Sequence, residues 1–216
     1  VAHALHMMCK VLTSAFLICG IFAASASSNT YSFNFDVFTD NGIYGEDPGL
    51  RPYVVVSNGE EAIVDFTFYN MSLFRSSVAQ IYFDDGSLLG ISYVINSSGT
   101  NFAEKFPGPG NLPSGQVIGF YADREFTIGA VNPVPSNGVN PGEPPEWVKI
   151  RFDLTPGANL EDVVSELYTQ ELRVGIHIMN LPDNSSESAI MIVPEPATLS
   201  LLAIGAAALL RKRKAK

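Results

Sequence analysis

Four stretches of this 216-residue chain place apolar side chains at every second position, and that period of two constrains the fold more than any other feature. Tyr31, Phe33, Phe35 and Val37 share one side, opposite Ser32, Asn34 and Asp36. Ala62, Val64, Phe66 and Phe68 repeat the pattern. Val148, Ile150, Phe152 and Leu154 oppose Trp147, Lys149, Arg151 and Asp153. Leu172, Val174, Ile176 and Ile178 oppose Arg173, Gly175, His177 and Met179. Successive side chains of an extended strand point to opposite faces, so each stretch can bury one face and leave the other wet. A helix of period 3.6 would scatter the same residues around its surface.

Further strands are expected near 53–57, 78–83, 88–95, 116–123 and 188–193. Only 159–168 reads as a short helix, after Pro156-Gly157 and with Asn159 placed as its cap. The 18 glycines and 14 prolines supply the turns that many short strands need. Residues 132–146 contain five prolines and read as a surface loop, and 101–115 as a second loop. These elements predict a mainly β domain: an antiparallel β-sandwich, jelly-roll or Ig-like, with about nine strands and one short helix.

The two ends are of a different kind. Met7, Met8 and Lys10 precede an apolar run from Val11 to Ala24, and Ala24-Ser25-Ala26 follows. A charge, a short apolar helix and small residues at a cut point are what a removable secretion signal needs. Signal peptidase is expected to cut after Ala26, leaving Ser27 as the first mature residue. The two cysteines, Cys9 and Cys19, both fall inside this signal, so the exported part has no thiol for a disulfide or a thiolate metal site.

At the other end, Pro194-Glu195-Pro196 precedes an apolar run from Ala197 to Leu210 and a basic end with Arg211, Lys212, Arg213 and Lys214. As a helix the run spans about 21 Å, short of the ~30 Å hydrocarbon core of a bilayer. The basic cluster stays cytoplasmic by the positive-inside rule. The two prolines then hold an extended segment just outside the membrane, open to a protease or transpeptidase.

These residues resemble the PEP-CTERM sorting signal of Gram-negative bacteria, although Lys is mixed with Arg in the basic end. The resemblance implies recognition and cleavage by an exosortase, a membrane transpeptidase. It also implies an inner-membrane-anchored precursor that later reaches the cell surface or the extracellular space. The chain accordingly divides into a signal peptide (1–26), a β-sandwich ectodomain (27–193) and a sorting tail (194–216) whose apolar run forms a C-terminal helix.

Charge narrows the function of the middle part. It holds seven basic residues against all 22 acidic ones, a net charge near −15 when Glu195 is included. Such a surface repels phosphate backbones and argues against nucleic-acid binding.

Catalytic candidates are few. His177 is the single histidine after the first six residues, no G-x-S-x-G elbow is present, and no pair of carboxylates stands out for glycoside hydrolysis. No catalytic residue is therefore assigned. Asp36, Asp40 and Asp47 crowd the first loop and are candidate Ca²⁺ ligands, although the same residues form good turns. Tyr44, Tyr53, Tyr69, Tyr82, Tyr93, Tyr121 and Trp147 are candidates for stacking on sugars. Trp147, at a strand start after Pro144-Pro145, is the foremost of them.

The expected function is a non-enzymatic surface or extracellular-matrix protein, which the family resemblance links to exopolysaccharide and biofilm. The alternative is a carbohydrate-binding or adhesive module with a defined ligand, and the third reading is an unrecognised hydrolase.

Overall fold

A computed structural model describes residues 29–59, 62–84, 86–104 and 110–193 of the chain. Ala24, Ala26 and Ser27, the Pro194-Glu195-Pro196 motif, the apolar C-terminal run and the basic end lie outside the described residues.

The alternating stretches become strands, and each puts its apolar set on the inner face. Ten strands run as β1 (Thr30–Val37), β2 (Pro52–Asn58), β3 (Ile63–Asn70), β4 (Ser77–Asp84) and β5 (Leu88–Asn96), then β6 (Phe102–Glu104), β7 (Thr127–Ala130), β8 (Trp147–Leu154), β9 (Arg173–Met179) and β10 (Glu187–Ile192). Every pairing is antiparallel. Hydrogen bonding runs without a break in the order β5-β8-β3-β2-β1-β10-β9-β4-β7-β6. The facing layers thus belong to one nearly closed, barrel-like sheet, mainly β as expected and with ten strands among the described residues rather than about nine.

Its interior is filled by phenylalanines from strands far apart in that order. Phe83 of β4 meets Phe152 of β8 edge-on at 4.7 Å and Phe66 of β3 at 5.1 Å. Val54, Val64, Val148, Ile150, Val174, Ile176 and Ile178 are all fully buried around them. Each such side chain contributes roughly 1.5–3 kcal/mol by leaving water.

The two end strands meet through a side chain. The Asn96 amide at the end of β5 donates to the Phe102 carbonyl at 3.1 Å and accepts the Phe102 N–H at 2.7 Å. One carboxamide thereby imitates a peptide group and carries the pairing from β5 to β6.

The helix forms where its cap predicted, as α2 (Leu160–Thr169), after a single turn α1 (Val134–Asn137). Asn159 Oδ1 accepts from the Glu161 and Asp162 N–H groups, and Asp162 accepts the Asn159 N–H at 2.9 Å. This reciprocal box satisfies donors that a helix start leaves orphaned. Leu160, Val163, Val164 and Leu167 then face the core.

Three local expectations are revised. Residues 116–123 are not a strand: Gly115–Ile118 is a 3-10 turn bounded by left-handed Ser114 and Gly119. Asn111 holds this segment by donating to the Phe120 carbonyl and accepting the Ala122 N–H. The segment lies on the outer face of the sheet, where Leu112 and Phe120 pack against Tyr82. Gly175 lets it approach, because a Cβ there would sit 2.6 Å from Leu112 Cδ2.

The proline-rich segment 132–146, expected as a surface loop, also sends Val139 into the core and bridges it to Val78. Strands β6 and β7, with three and four residues, were not anticipated because they are too short to show a period.

Candidate functional site

On the outer face of the sheet the register lines up three aromatic residues. Tyr53 of β2 lies opposite Tyr69 of β3, and Tyr69 lies opposite Trp147 of β8. They share a face because each is an odd position in a strand whose even positions fill the core. The Tyr53 and Tyr69 rings stack at 4.9 Å with planes 12° apart. Burial, with the neighbouring Tyr69 phenol second, raises the Tyr53 hydroxyl above its usual pKa. Trp147 is fixed through its backbone: its N–H donates to Ser97 Oγ at 2.8 Å and its carbonyl accepts from Thr100 Oγ1 at 3.1 Å. Asn34 of β1 continues the row beyond Tyr53, and Ile192, at the end of β10, continues it beyond Asn34.

The next registers along the strands are polar. Asp65, 3% exposed, accepts from Arg151 at 2.8 and 3.0 Å and from Lys149 at 3.3 Å. Burial by itself would raise the Asp65 carboxyl, but the Arg151 hydrogen bond and the Lys149 charge outweigh it and hold the carboxyl below its usual range.

A cleft of about 400 Å³ opens beside Tyr53, lined also by Asn34, Phe35, Leu50, Arg51, Pro52 and Met71. Arg51 is positioned by its Nε–H, which donates to the Pro48 carbonyl at 2.9 Å, and by its backbone N–H, which donates to Ser72 Oγ at 2.9 Å. Ser72 in turn donates to the fully buried Asn70 at 2.6 Å. Met71 is shared with a larger cleft of about 590 Å³ between residues 70–76 and 140–143.

The other aromatic candidates are elsewhere. Tyr44 packs on Phe74 at 5.1 Å. Tyr82 is buried, donates to Gln80 at 2.7 Å and has its phenol pKa raised by desolvation. Tyr93 stands opposite Arg151 and Tyr121 lies on the covering segment, both exposed.

Of the first-loop carboxylates, Asp36 is exposed on β1 and Asp40 is exposed beyond it. Asp47 closes a turn by accepting the Gly49 N–H at 2.7 Å. Among the described residues no group of three or more His, Cys, Asp or Glu side chains gathers where it could hold a metal ion.

What fastens that loop is Glu187, a residue the sequence did not single out. It is fully buried and accepts from Thr39 Oγ1 at 2.5 Å and from the Asn41 N–H at 3.0 Å. Thr39-Asp40-Asn41 lies 146 residues away in the chain, so no local pattern reveals the contact.

His177 lies on the outer face of β9, with its Nδ1 3.4 Å from Ser188 Oγ. Ser188 is 1% exposed, which keeps its hydroxyl from a substrate. Desolvation lowers the His177 pKa, opposed by the Glu187 backbone.

Among the described residues no helix is long and apolar enough to cross a membrane. No curated protein and no solved structure is significantly similar to the chain. Residues 193–214 match the family model described as the PEP-CTERM protein-sorting motif, the signal that the tail resembled. That motif marks an exported, exosortase-sorted protein with a membrane-anchored precursor.

Proposed function

Starting from a chain that ends in a PEP-CTERM protein-sorting motif, we propose that the protein is a non-enzymatic component of the cell surface or extracellular matrix, associated with exopolysaccharide. The observation that carries this reading is the junction of fold and tail. β10 ends at Ile192, and the motif match begins at residue 193. The last described strand thus ends before the sorting signal starts, and a cut within the signal leaves the ten described strands whole. The N-terminal signal with its Ala24-Ser25-Ala26 site supports export through signal peptidase. The burial of Ser188 beside His177 speaks against this pair as a nucleophile and its base.

The second reading, a carbohydrate-binding or adhesive module, is favoured by the Tyr53-Tyr69-Trp147 row. The two readings are compatible if the matrix component is held by a sugar.

The test of sorting is replacement of Pro194, Glu195 and Pro196 by Ala in a host that has an exosortase. The altered chain should accumulate as a folded, membrane-bound precursor, because the apolar run and basic end still hold it. Processing and release equal to the parent would refute the assignment.

A further inference from the structure

We infer that the cleft beside Tyr53 is a subsite for an uncharged sugar unit of a polysaccharide, with the Tyr53 ring as its stacking wall and Asn34 and Arg51 as its hydrogen-bonding groups. The inference rests on the matrix reading for where the ligand is met, and on the cleft alone for what the ligand is.

Tyr53 has one ring face covered by Tyr69, at 4.9 Å. Its other side looks toward β1, where the register partner is Asn34, a short polar residue that is exposed. Asn34 and Tyr53 both line the cleft of about 400 Å³. That volume lies within the range of small-ligand sites, roughly 300–1,000 Å³.

Sugars present apolar C–H faces and a rim of hydroxyls. An aromatic wall with a few polar groups at its edge matches both parts. The Asn34 carboxamide offers a donor and an acceptor, and the Arg51 guanidinium offers only donors. Arg51 is not loose: its Nε–H bond to Pro48 and its backbone bond to Ser72 set where the group points. Phe35, Leu50, Pro52 and Met71 complete an apolar lining.

Charge selects among sugars. Among the described residues no carboxylate lines the cleft, which therefore offers an amino sugar no counter-charge. One guanidinium stands against an exported part with a net charge near −15, which repels a polyanion such as a polyuronate as it approaches. An uncharged chain meets neither barrier.

The test uses the full chain in detergent and affinity gel electrophoresis in gels containing laminarin, hydroxyethylcellulose, dextran or polygalacturonate. At least one neutral polymer should retard the protein, and polygalacturonate should not. Tyr53→Phe should bind like the parent. Tyr53→Ala should bind about ten-fold more weakly, which corresponds to roughly 1.4 kcal/mol. Asn34→Ala, an exposed change that leaves the core untouched, should weaken binding several-fold, with near-ultraviolet circular dichroism confirming the fold of each variant. Retardation by none of the neutral polymers overturns the inference, as does equal binding by folded Tyr53→Ala and Asn34→Ala. Retardation by polygalacturonate alone overturns the charge class. Because binding is measured without an exosortase, its outcome is independent of whether the sorting assignment survives.

Discussion

Replacing Asn96 by Ala should loosen the seam of the sheet without touching its core. Asn96 is exposed, yet its carboxamide makes both hydrogen bonds that join β5 to β6, at 3.1 and 2.7 Å to the Phe102 carbonyl and N–H. A hydrogen bond of this kind contributes about 0.5–1.5 kcal/mol net. The two together give about 1–3 kcal/mol. Water can reach part of the site and re-satisfy the Phe102 groups, so the lower half of that range, about 1–2 kcal/mol, is expected. Phe102 itself is buried, which couples the seam to the core. The assay is urea unfolding of parent and Asn96→Ala by circular dichroism. The midpoint should fall while the slope stays constant, as for a loss of stability without a change in exposed surface. Asn96→Asp should also lose stability, because it keeps the acceptor for the Phe102 N–H and loses the donor to its carbonyl. A change below about 0.5 kcal/mol for Asn96→Ala, the size typical of featureless surface substitutions, would refute the claim that this side chain links the two end strands.

Asn159→Ala removes the acceptor for two N–H groups at the start of α2 and should cost about 1 kcal/mol, read from the same unfolding curves; an unchanged midpoint would deny the cap its role. His177 predicts a pH effect. Its folded pKa is lowered by desolvation, so the unfolded chain takes up the proton first. The stability linked to it is complete above about pH 6.5 and is lost as pH falls through the folded value. His177→Gln should flatten this part of the stability profile between pH 7.5 and 5.5, and an unaltered profile would assign the effect to other groups.

The fold and the site were legible in the sequence to different depths. Alternation in 31–37, 62–68, 147–154 and 172–179 exposed the strands and their inner faces, since a period of two is written directly into the residues. Asn159 announced the helix for the same reason: capping is a contact over three residues. Residues 116–123 misled because Val117, Phe120 and Tyr121 look strand-like, while the Asn111 side chain and the outer face of β4 and β9 decide their path. The tail was the most legible part, because Pro194-Glu195-Pro196, the apolar run and the basic end carry their meaning in order along the chain.

What the sequence by itself determined, then, was the sorting motif of the tail, the mainly β class and the side of each long strand that faces inward. What only the tertiary structure decided was adjacency. Tyr53, Tyr69 and Trp147 are far apart in sequence and become one row through strand register. Glu187 gains its partners from residues near 40, and Asn96 links the two end strands of an order set by the pairing of all ten. Local patterns specify which face a residue takes, whereas the neighbour across the strand depends on a register fixed by the packing of the whole core.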